Sequence, residues 1–388
     1  MTLKKWQKRV LWTLGSVFVL LSIPMIVGAI FMLTSPQFGA IPSAEDKDLF
    51  ARSTQYNGEV FENLENTSLD ISPMDIPKML SEWMDDNTQT TPPFELPMEF
   101  PNPQNLGDSI FHFVWFGHSA LWMSLEGKSI LIDPMLTEVP APHPWLGKSR
   151  FSSRIPIEIE DIPHVNYVLI SHDHYDHLDY KTLLQLIPKT DRFLVPLGVG
   201  AHLKSWGIHD SSIVEFDWWE DFQDERINIS FVPSRHFSGR GFADRNTTLW
   251  GGWTLHSQAV NLLFTGDGGY GNHFKEIGER LGPFDMAWIE CGQYNPLWSQ
   301  IHMMPEESVL AALDVRAKAM MPIHWGAFSL APHAWDDPVL RVSRAAQKEN
   351  MPLQIPILGE VIRLDSNSLK SPINPWWSPT PTTTPDDL

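Results

Sequence analysis

An α/β fold behind a single membrane-crossing helix is what this sequence predicts, and three observations predict it. Short apolar, β-branched runs alternate with helical stretches from about residue 109 to 365, the pattern of layered sheets and helices. Several of these runs are spaced to pair as antiparallel hairpins. Ahead of them, 24 uncharged residues from Val10 to Leu33 exceed the roughly 20 that cross a bilayer as a helix.

Composition narrows the function classes. A chain of 388 residues, 43% of them hydrophobic, can bury a substantial core. Lys+Arg 28 against Asp+Glu 47 leaves a net charge of -19, which repels phosphate backbones and argues against a nucleic-acid partner. Cys291 is the only cysteine, so an intrachain disulfide and a multi-cysteine zinc site are both excluded. It follows the apolar run Met286-Ala287-Trp288-Ile289 and reads as a buried thiol.

Lys4, Lys5, Lys8 and Arg9 precede the apolar run. A cleaved signal peptide has an apolar region of only about 7–15 residues, so residues 1–33 read as an uncleaved anchor, with Pro24 as a tolerated kink. Basic flanks stay cytoplasmic, which puts the rest of the chain across the membrane. In a bacterium that means a single-pass inner-membrane protein with a periplasmic catalytic domain. Residues 34–108 are polar and dotted with prolines such as Pro36, Pro73, Pro92, Pro93 and Pro101, and form either a tether or an arm wrapped on the domain. Phe50, Tyr56, Val60, Phe61 and Leu64 favour some packing, and a short amphipathic helix is expected over Pro77 to Met84.

The domain at 109–365 opens with strands at Ile110 to Phe116, Ala120 to Leu125 and Ser129 to Ile132, the last ending at Asp133. Asn166 to Leu169 is a further strand, and it enters Ile170-Ser171-His172-Asp173-His174-Tyr175-Asp176-His177-Leu178-Asp179. In extended backbone, residues two apart point the same way, so His172 and His174 can face one metal ion. Asp176 and His177 leave the following turn in a new direction, placed for a second ion. One histidine here would read as a helix cap; the pattern His-x-His-x-Asp-His after a strand is far more specific.

Downstream, Tyr180 to Leu186 and Val199 to Trp206 read as helices, and Phe193 to Val195 and Ile213 to Phe216 as strands. Ile227 to Val232 delivers Pro233-Ser234-Arg235-His236 from a strand end. Asn261 to Thr265 leads into Gly266-Asp267-Gly268-Gly269, where glycines permit close backbone approach and a two-oxygen carboxylate can bridge two ions. Lys318 to Ile323 leads into His324-Trp325-Gly326. Pro305-Glu306-Glu307 is a sound helix start. Residues 366–388 form a tail whose Trp376 and Trp377 either sit at a membrane interface or pack on the domain.

The string SHDHYDHLD resembles the signature of the metallo-β-lactamase superfamily, in the branch that contains N-acylphosphatidylethanolamine-hydrolysing phospholipase D. WFGHSALWMSLEGKSILIDP and Leu249-Trp250-Gly251-Gly252-Trp253 are similar to further segments of that branch. The resemblance implies a four-layer αβ/βα sandwich holding two zinc ions. It assigns His172, His174, His236 and Asp267 to one ion, and Asp176, His177, Asp267 and His324 to the other. It also implies cleavage of a phosphodiester bond in membrane phospholipids by a metal-bridging hydroxide, releasing phosphatidic acid and an N-acylethanolamine. His118 and Asp133 then lie near the site, in a catalytic or a structural role. Tyr294 and His302 fall in a segment beside the substrate, His302 contacting a phosphate or the leaving group. Asp173 and Asp179 are candidates for orienting ligand imidazoles. The rival readings are a lactonase or other carboxyl-ester hydrolase on the same fold, and an anchored binding protein with a structural metal. Self-association of the chain stays open.

Overall fold

The computed structural model describes residues 4–103 apart from 70 and 86, residues 111–363, and residues 374–378. The expected boundaries near 108 and 365, the strand start at Ser109 and Ile110, Pro372 and the terminal Pro/Thr run lie outside the described residues.

The chain begins with α1 (Lys5–Thr34), whose 30 residues give a length of about 45 Å at 1.5 Å per residue. None of its side chains is buried, and it is long and apolar enough to cross a membrane. The segment that follows is an arm held on the domain. It carries α2 (Ala44–Phe50), capped by Ser43 accepting from the Asp46 N–H, and α3 (Ile76–Trp83), one residue earlier than the expected amphipathic helix. Phe50 and Phe61 are buried in the main core with Tyr56 against them, whereas Leu64 stays exposed.

Two mixed sheets form the domain. The first has the order β13-β1-β2-β3-β4-β5-β6. Its strands are β1 (His112–Trp115), β2 (Leu121–Leu125), β3 (Lys128–Ile132), β4 (Val165–Leu169), β5 (Thr190–Pro196), β6 (Ile213–Phe216) and β13 (Val361–Arg363). The second has the order β12-β11-β10-β9-β8-β7, from β7 (Asp221–Gln223), β8 (Asn228–Val232), β9 (Gly252–His256), β10 (Asn261–Phe264), β11 (Met286–Glu290) and β12 (Met320–Ile323). Each sheet is antiparallel on one side and parallel on the other: β3 to β6 run parallel, as do β10 to β12.

Side-chain alternation explains the layering. On the first sheet Phe113, Trp115, Ile130, Ile132 and Leu194 point to the second sheet, while Val114, Phe116, Leu131, Phe193 and Val195 point outward. The outward set meets Leu183 and Leu186 of α4 (Tyr180–Leu186) and Val199 and Leu203 of α5 (Val199–Ser205). Against the second sheet lie α6 (His273–Leu281), α7 (Pro305–Asp314) and α8 (Asp337–Glu349), which bury Ile277, Val309 and Val342 in the inter-sheet core's own cluster. Strands covered on both faces read as continuous apolar runs, which is why the sequence marks them clearly. This is the four-layer arrangement expected.

Some elements differ from the sequence reading. Strands β9 and β11 and helices α6 and α8 were not anticipated. β11 follows an apolar run too short to distinguish strand from buried helix without its partners β10 and β12. Trp376 and Trp377 pack on the domain: Trp376 stacks on Trp325 at 5.5 Å and donates to the Ile355 carbonyl, so neither indole faces a membrane interface.

Trp253 of β9 joins both sheets. It packs on Phe216 and Phe231 and donates from Nε1 to the Ile170 carbonyl at 3.0 Å, just ahead of the His-x-His-x-Asp-His turn. Trp253→Ala should cost about 3–5 kcal/mol, read as a fall in the urea midpoint of the detergent-solubilised chain; a loss under 1 kcal/mol, about the scale of a surface change, would contradict this role.

Candidate metal centre

The seven expected donors, with His118 and Asp133, all leave the ends of strands. His118 follows β1, Asp133 follows β3, the 170–178 turn follows β4, His236 follows β8, Asp267 follows β10 and His324 follows β12. In mixed α/β sheets, polar side chains can collect beyond the carboxyl ends of parallel strands because there the backbone stops pairing. The backbone there is under constraint: His118, Asp133 and His324 have φ of 55, 43 and 67°, a region costing about 1–3 kcal/mol for a non-glycine residue. Gly266 has φ 63°, and a Cβ on it would sit 2.3 Å from the Gly251 carbonyl. Only glycine lets the chain pass there to present Asp267.

All seven expected donors converge. His172 Nε2 lies 2.9 Å from His174 Nδ1, which lies 3.3 Å from His236 Nε2, so His172, His174 and His236 form one set. His118, Asp176, His177 and His324 form a second. Asp267 stands between them. Its Oδ2 is 3.1 Å from His177 Nε2, 3.9 Å from His172 Nε2 and 4.0 Å from His236 Nε2, and its Oδ1 is 3.1 Å from His324 Nδ1.

These contacts fit cations better than hydrogen bonds. Tetrahedral donors about 2.05 Å from a zinc ion stand about 3.3 Å from each other, the scale of the spacings within the first set. Burial pushes His172, His236 and His324 well below the usual imidazole pKa, so they are neutral, the form that binds metal. Asp267 Oδ1 is buried without a hydrogen bond, close as His324 is. His177 is pushed down by burial but raised far more by the carboxylates of Asp267, Asp176 and Asp133 around it. Such a knot of negative charge is what a bound cation offsets. The residues present fit a metal centre.

Three carboxylates support the site: Asp176 is an expected donor, whereas sequence reasoning leaves Asp133 open and misses Glu290. Asp133 Oδ2 accepts from His177 Nδ1 at 2.7 Å and from Ser171 Oγ at 2.5 Å, while its Oδ1 takes the Ser171 N–H. It therefore fixes which nitrogen His177 turns to the centre. The separation of 44 residues hides this pairing in the sequence, and only the parallel β3–β4 register brings it about. Glu290, at the end of β11, accepts from His302 Nδ1 at 2.9 Å and from the Met303 N–H at 3.0 Å. Burial raises its carboxyl to about 8, against the His302 contact, which lowers it. Its one sequence signal is an acid closing the apolar run 286–289. Asp176 accepts from His118 Nε2 at 2.8 Å.

Four expectations change. Asp173 and Asp179 do not reach the ligand imidazoles. Asp173 binds His202, Thr248 and the Gly239 N–H, and Asp179 caps α4 through Lys181 and Thr182. Local turn geometry captured Asp179, whereas partners 29 to 75 residues away captured Asp173. His118, expected beside substrate, has no exposed surface and commits Nε2 to Asp176, so it steadies that carboxylate. Tyr294, also expected there, is 4% exposed, gives its hydroxyl to Asp337 and stacks on His333. His302 does join the cluster: its ring stacks on His324 at 5.2 Å and it stays partly exposed.

With this geometry the relatives can be placed. A family model described as a beta-lactamase superfamily domain matches residues 128–325. The chain belongs to the metallo-β-lactamase superfamily. It is 38% identical over 331 residues to an uncharacterized protein of Mycobacterium tuberculosis, covering 84% of this chain and 88% of that one. It is 34% identical over 229 residues to N-acyl-phosphatidylethanolamine-hydrolyzing phospholipase D 1 of Caenorhabditis elegans, covering 56% of this chain and 64% of that one. The structure of Igni18, a metallo hydrolase from Ignicoccus hospitalis, shares the fold at 20% identity with a TM-score of 0.51, over 66% of this chain and 98% of that one. This member of the superfamily is a metal-dependent hydrolase with candidate His/Asp metal sites.

Removing one supporting carboxylate tests the arrangement. Asp133→Asn should weaken metal affinity about 10–100-fold in chelator competition, with far-UV circular dichroism unchanged, while Asp173→Asn leaves that affinity within about twofold. Equal losses from both variants would show that Asp133 has no special hold on the centre.

Proposed function

We propose that the chain is a zinc-dependent phosphodiesterase that cleaves phospholipids such as N-acylphosphatidylethanolamine at a membrane surface, in the manner of a phospholipase D. The observation that carries this reading is the pair of donor sets sharing Asp267, on a chain whose N-terminal helix is fit to cross a bilayer. The likeness to the nematode lipid hydrolase supports the substrate class. His172, His174, His236 and Asp267 would hold one zinc ion, and Asp176, His177, Asp267 and His324 the other. When bound, such ions supply Lewis acidity and lower the pKa of water from 15.7 to about 7.

The protein's own residues do the rest. Asp267 reaches both histidine sets: Oδ1 stands 3.1 Å from His324, while Oδ2 stands 3.1 Å from His177 and 3.9 and 4.0 Å from His172 and His236 of the other set. Asp133 and His118 hold His177 and Asp176 in place. Glu290 takes His302 Nδ1, which leaves Nε2 as the ring's only free nitrogen. Burial works against the His302 imidazolium, but the Glu290 contact raises its pKa above the ordinary value. A protonated His302 can bind a phosphate oxygen or give its Nε2 proton to the departing alcohol.

Purified protein in mixed vesicles should convert N-acylphosphatidylethanolamine to phosphatidic acid and an N-acylethanolamine, resolved by mass spectrometry. Chelation should abolish turnover and zinc should restore it. Asp267→Asn should lower kcat about 10²–10³-fold, the scale for losing one preorganised electrostatic group, with the fold intact. Full stability of the lipid beside efficient hydrolysis of a lactone or carboxyl ester would overturn the assignment.

His302→Gln keeps a hydrogen-bonding side chain but cannot carry the proton. It should lower kcat about 10²–10⁴-fold, and the loss should shrink on a substrate analogue with a more acidic leaving alcohol. An equal loss on both substrates would remove His302 from proton transfer.

A further inference from the structure

Two surface loops from distant parts of the chain meet the end of α1. Phe31 packs its ring on His143 at 4.9 Å and on Trp145 at 5.6 Å. The next residue, Met32, reaches the other loop, its Cε lying 3.3 Å from where a Cβ on Gly241 would stand. The apolar run of α1 ends at Leu33, so both loops lie level with the rim of any hydrocarbon layer that α1 crosses.

Both loops carry large apolar side chains that remain exposed. Phe242 is 95% exposed, Trp145 71% and Leu146 47%, in a chain with a net charge of -19. We infer that Trp145, Leu146 and Phe242 insert into the bilayer beside α1, seating the catalytic domain on the membrane by a second contact. Continuity with α1 selects the occupant: a surface sharing residues 31 and 32 with a spanning helix faces the same lipid. Aromatic side chains favour the headgroup level, where one face is apolar and the other wet. This inference rests on the reading of α1 as an anchor, and it adds where the domain lies.

The seat connects to the metal centre through Arg240, next to Gly241. Its guanidinium donates to the Gln37 carbonyl at 2.7 and 3.0 Å, to the Asp173 carbonyl at 2.5 Å and to the Leu178 carbonyl at 2.9 Å. One buried side chain thus ties the chain just after α1 to both ends of the His174–His177 turn. Tyr175, inside that turn, lies under the same guanidinium at 4.0 Å and donates its hydroxyl to the Arg240 carbonyl at 2.6 Å. The donor turn and the lipid-facing loop are one rigid connection, so a lipid headgroup at the interface is presented to the site without leaving the membrane.

Depth-resolved fluorescence tests the seat without using activity. Seventeen tryptophans make intrinsic emission uninformative, and Cys291 is buried. Single variants Phe242→Cys, Trp145→Cys, Leu20→Cys in α1 and Lys348→Cys on an exposed helix end would carry an environment-sensitive dye, in the full chain reconstituted in phosphatidylcholine vesicles. The expected result is blue-shifted emission quenched by shallow nitroxide lipids at 242 and 145, by deep nitroxide lipids at 20, and by aqueous iodide only at 348. Lipid quenching at 20 with iodide quenching at 242 and 145 would overturn the seat while the anchor stands. Iodide quenching at 20 as well would overturn both. Blue-shifted emission at 242 and 145 that no lipid quencher touches would assign the patch to a protein contact and also overturn it.

Discussion

A knot of histidines and carboxylates out of contact with water is the constraint to which the rest of this structure answers. His118, His172, His177, His236, His324 and Asp267 are each at most 2% exposed. An unpaired buried charge costs several kcal/mol even after relaxation, and neutral imidazoles face each other with lone pairs at about 3 Å. Cations between them turn that repulsion into attraction. The donors come from both sheets, with His172 and His177 after β4 and His236, Asp267 and His324 after strands of the second sheet. A metal held there would couple its binding to the closing of one sheet on the other, as expected when a site assembles only in the folded chain.

How much of this was legible in the sequence depends on the range over which each signal acts. His172, His174, Asp176 and His177 announce themselves because six residues hold the whole pattern. His236, Asp267 and His324 are each one polar residue after an apolar run, and only resemblance to a family picked them out. Asp133 and Glu290 depend on which strand lies beside which, and no local pattern encodes that. The fold divides the same way. Strands buried on both faces stand out as apolar runs, whereas β9 begins on Gly252 just after Gly251 and α8 is polar over most of its surface, and both take shape from their neighbours. Asp173 and Asp179 show the reverse error: proximity in sequence suggested a shared role, but nearby backbone N–H groups and hydroxyls claimed them.

The proline-dotted arm would look like a tether if composition alone decided. Its contacts show that it is part of the site's support. Asn63 grips His236 at two points, accepting its N–H at 3.1 Å and donating to its carbonyl at 2.8 Å. Arg235, the preceding residue, donates to Thr67, to the Asn66 carbonyl and to Gln300, two residues before His302. The arm thus clamps one donor of the first histidine set and the loop that presents His302. Prolines suit such a segment, since they lower the entropy of the unfolded chain while leaving carbonyls free to accept.

The position of Glu290 decides what His302 can do. A carboxylate at the end of a fully buried strand is expensive, and the apolar run before it offers no reason to keep one. Its partners supply the reason: one oxygen takes His302 Nδ1 and the other the Met303 N–H, so the loop that carries His302 is pinned to the strand beside Asp267. With Nδ1 occupied, His302 cannot rotate to offer that nitrogen to a metal, although its ring stacks on His324 and stands edge-on to His236. His177 and His236 likewise have Nδ1 held, by Asp133 and by the Ile301 carbonyl, so Glu290 sets His302 apart by giving it a buried acid as its partner, in keeping with the proton role proposed for it. One buried acid thus fixes the ring of His302 beside the donors of the centre.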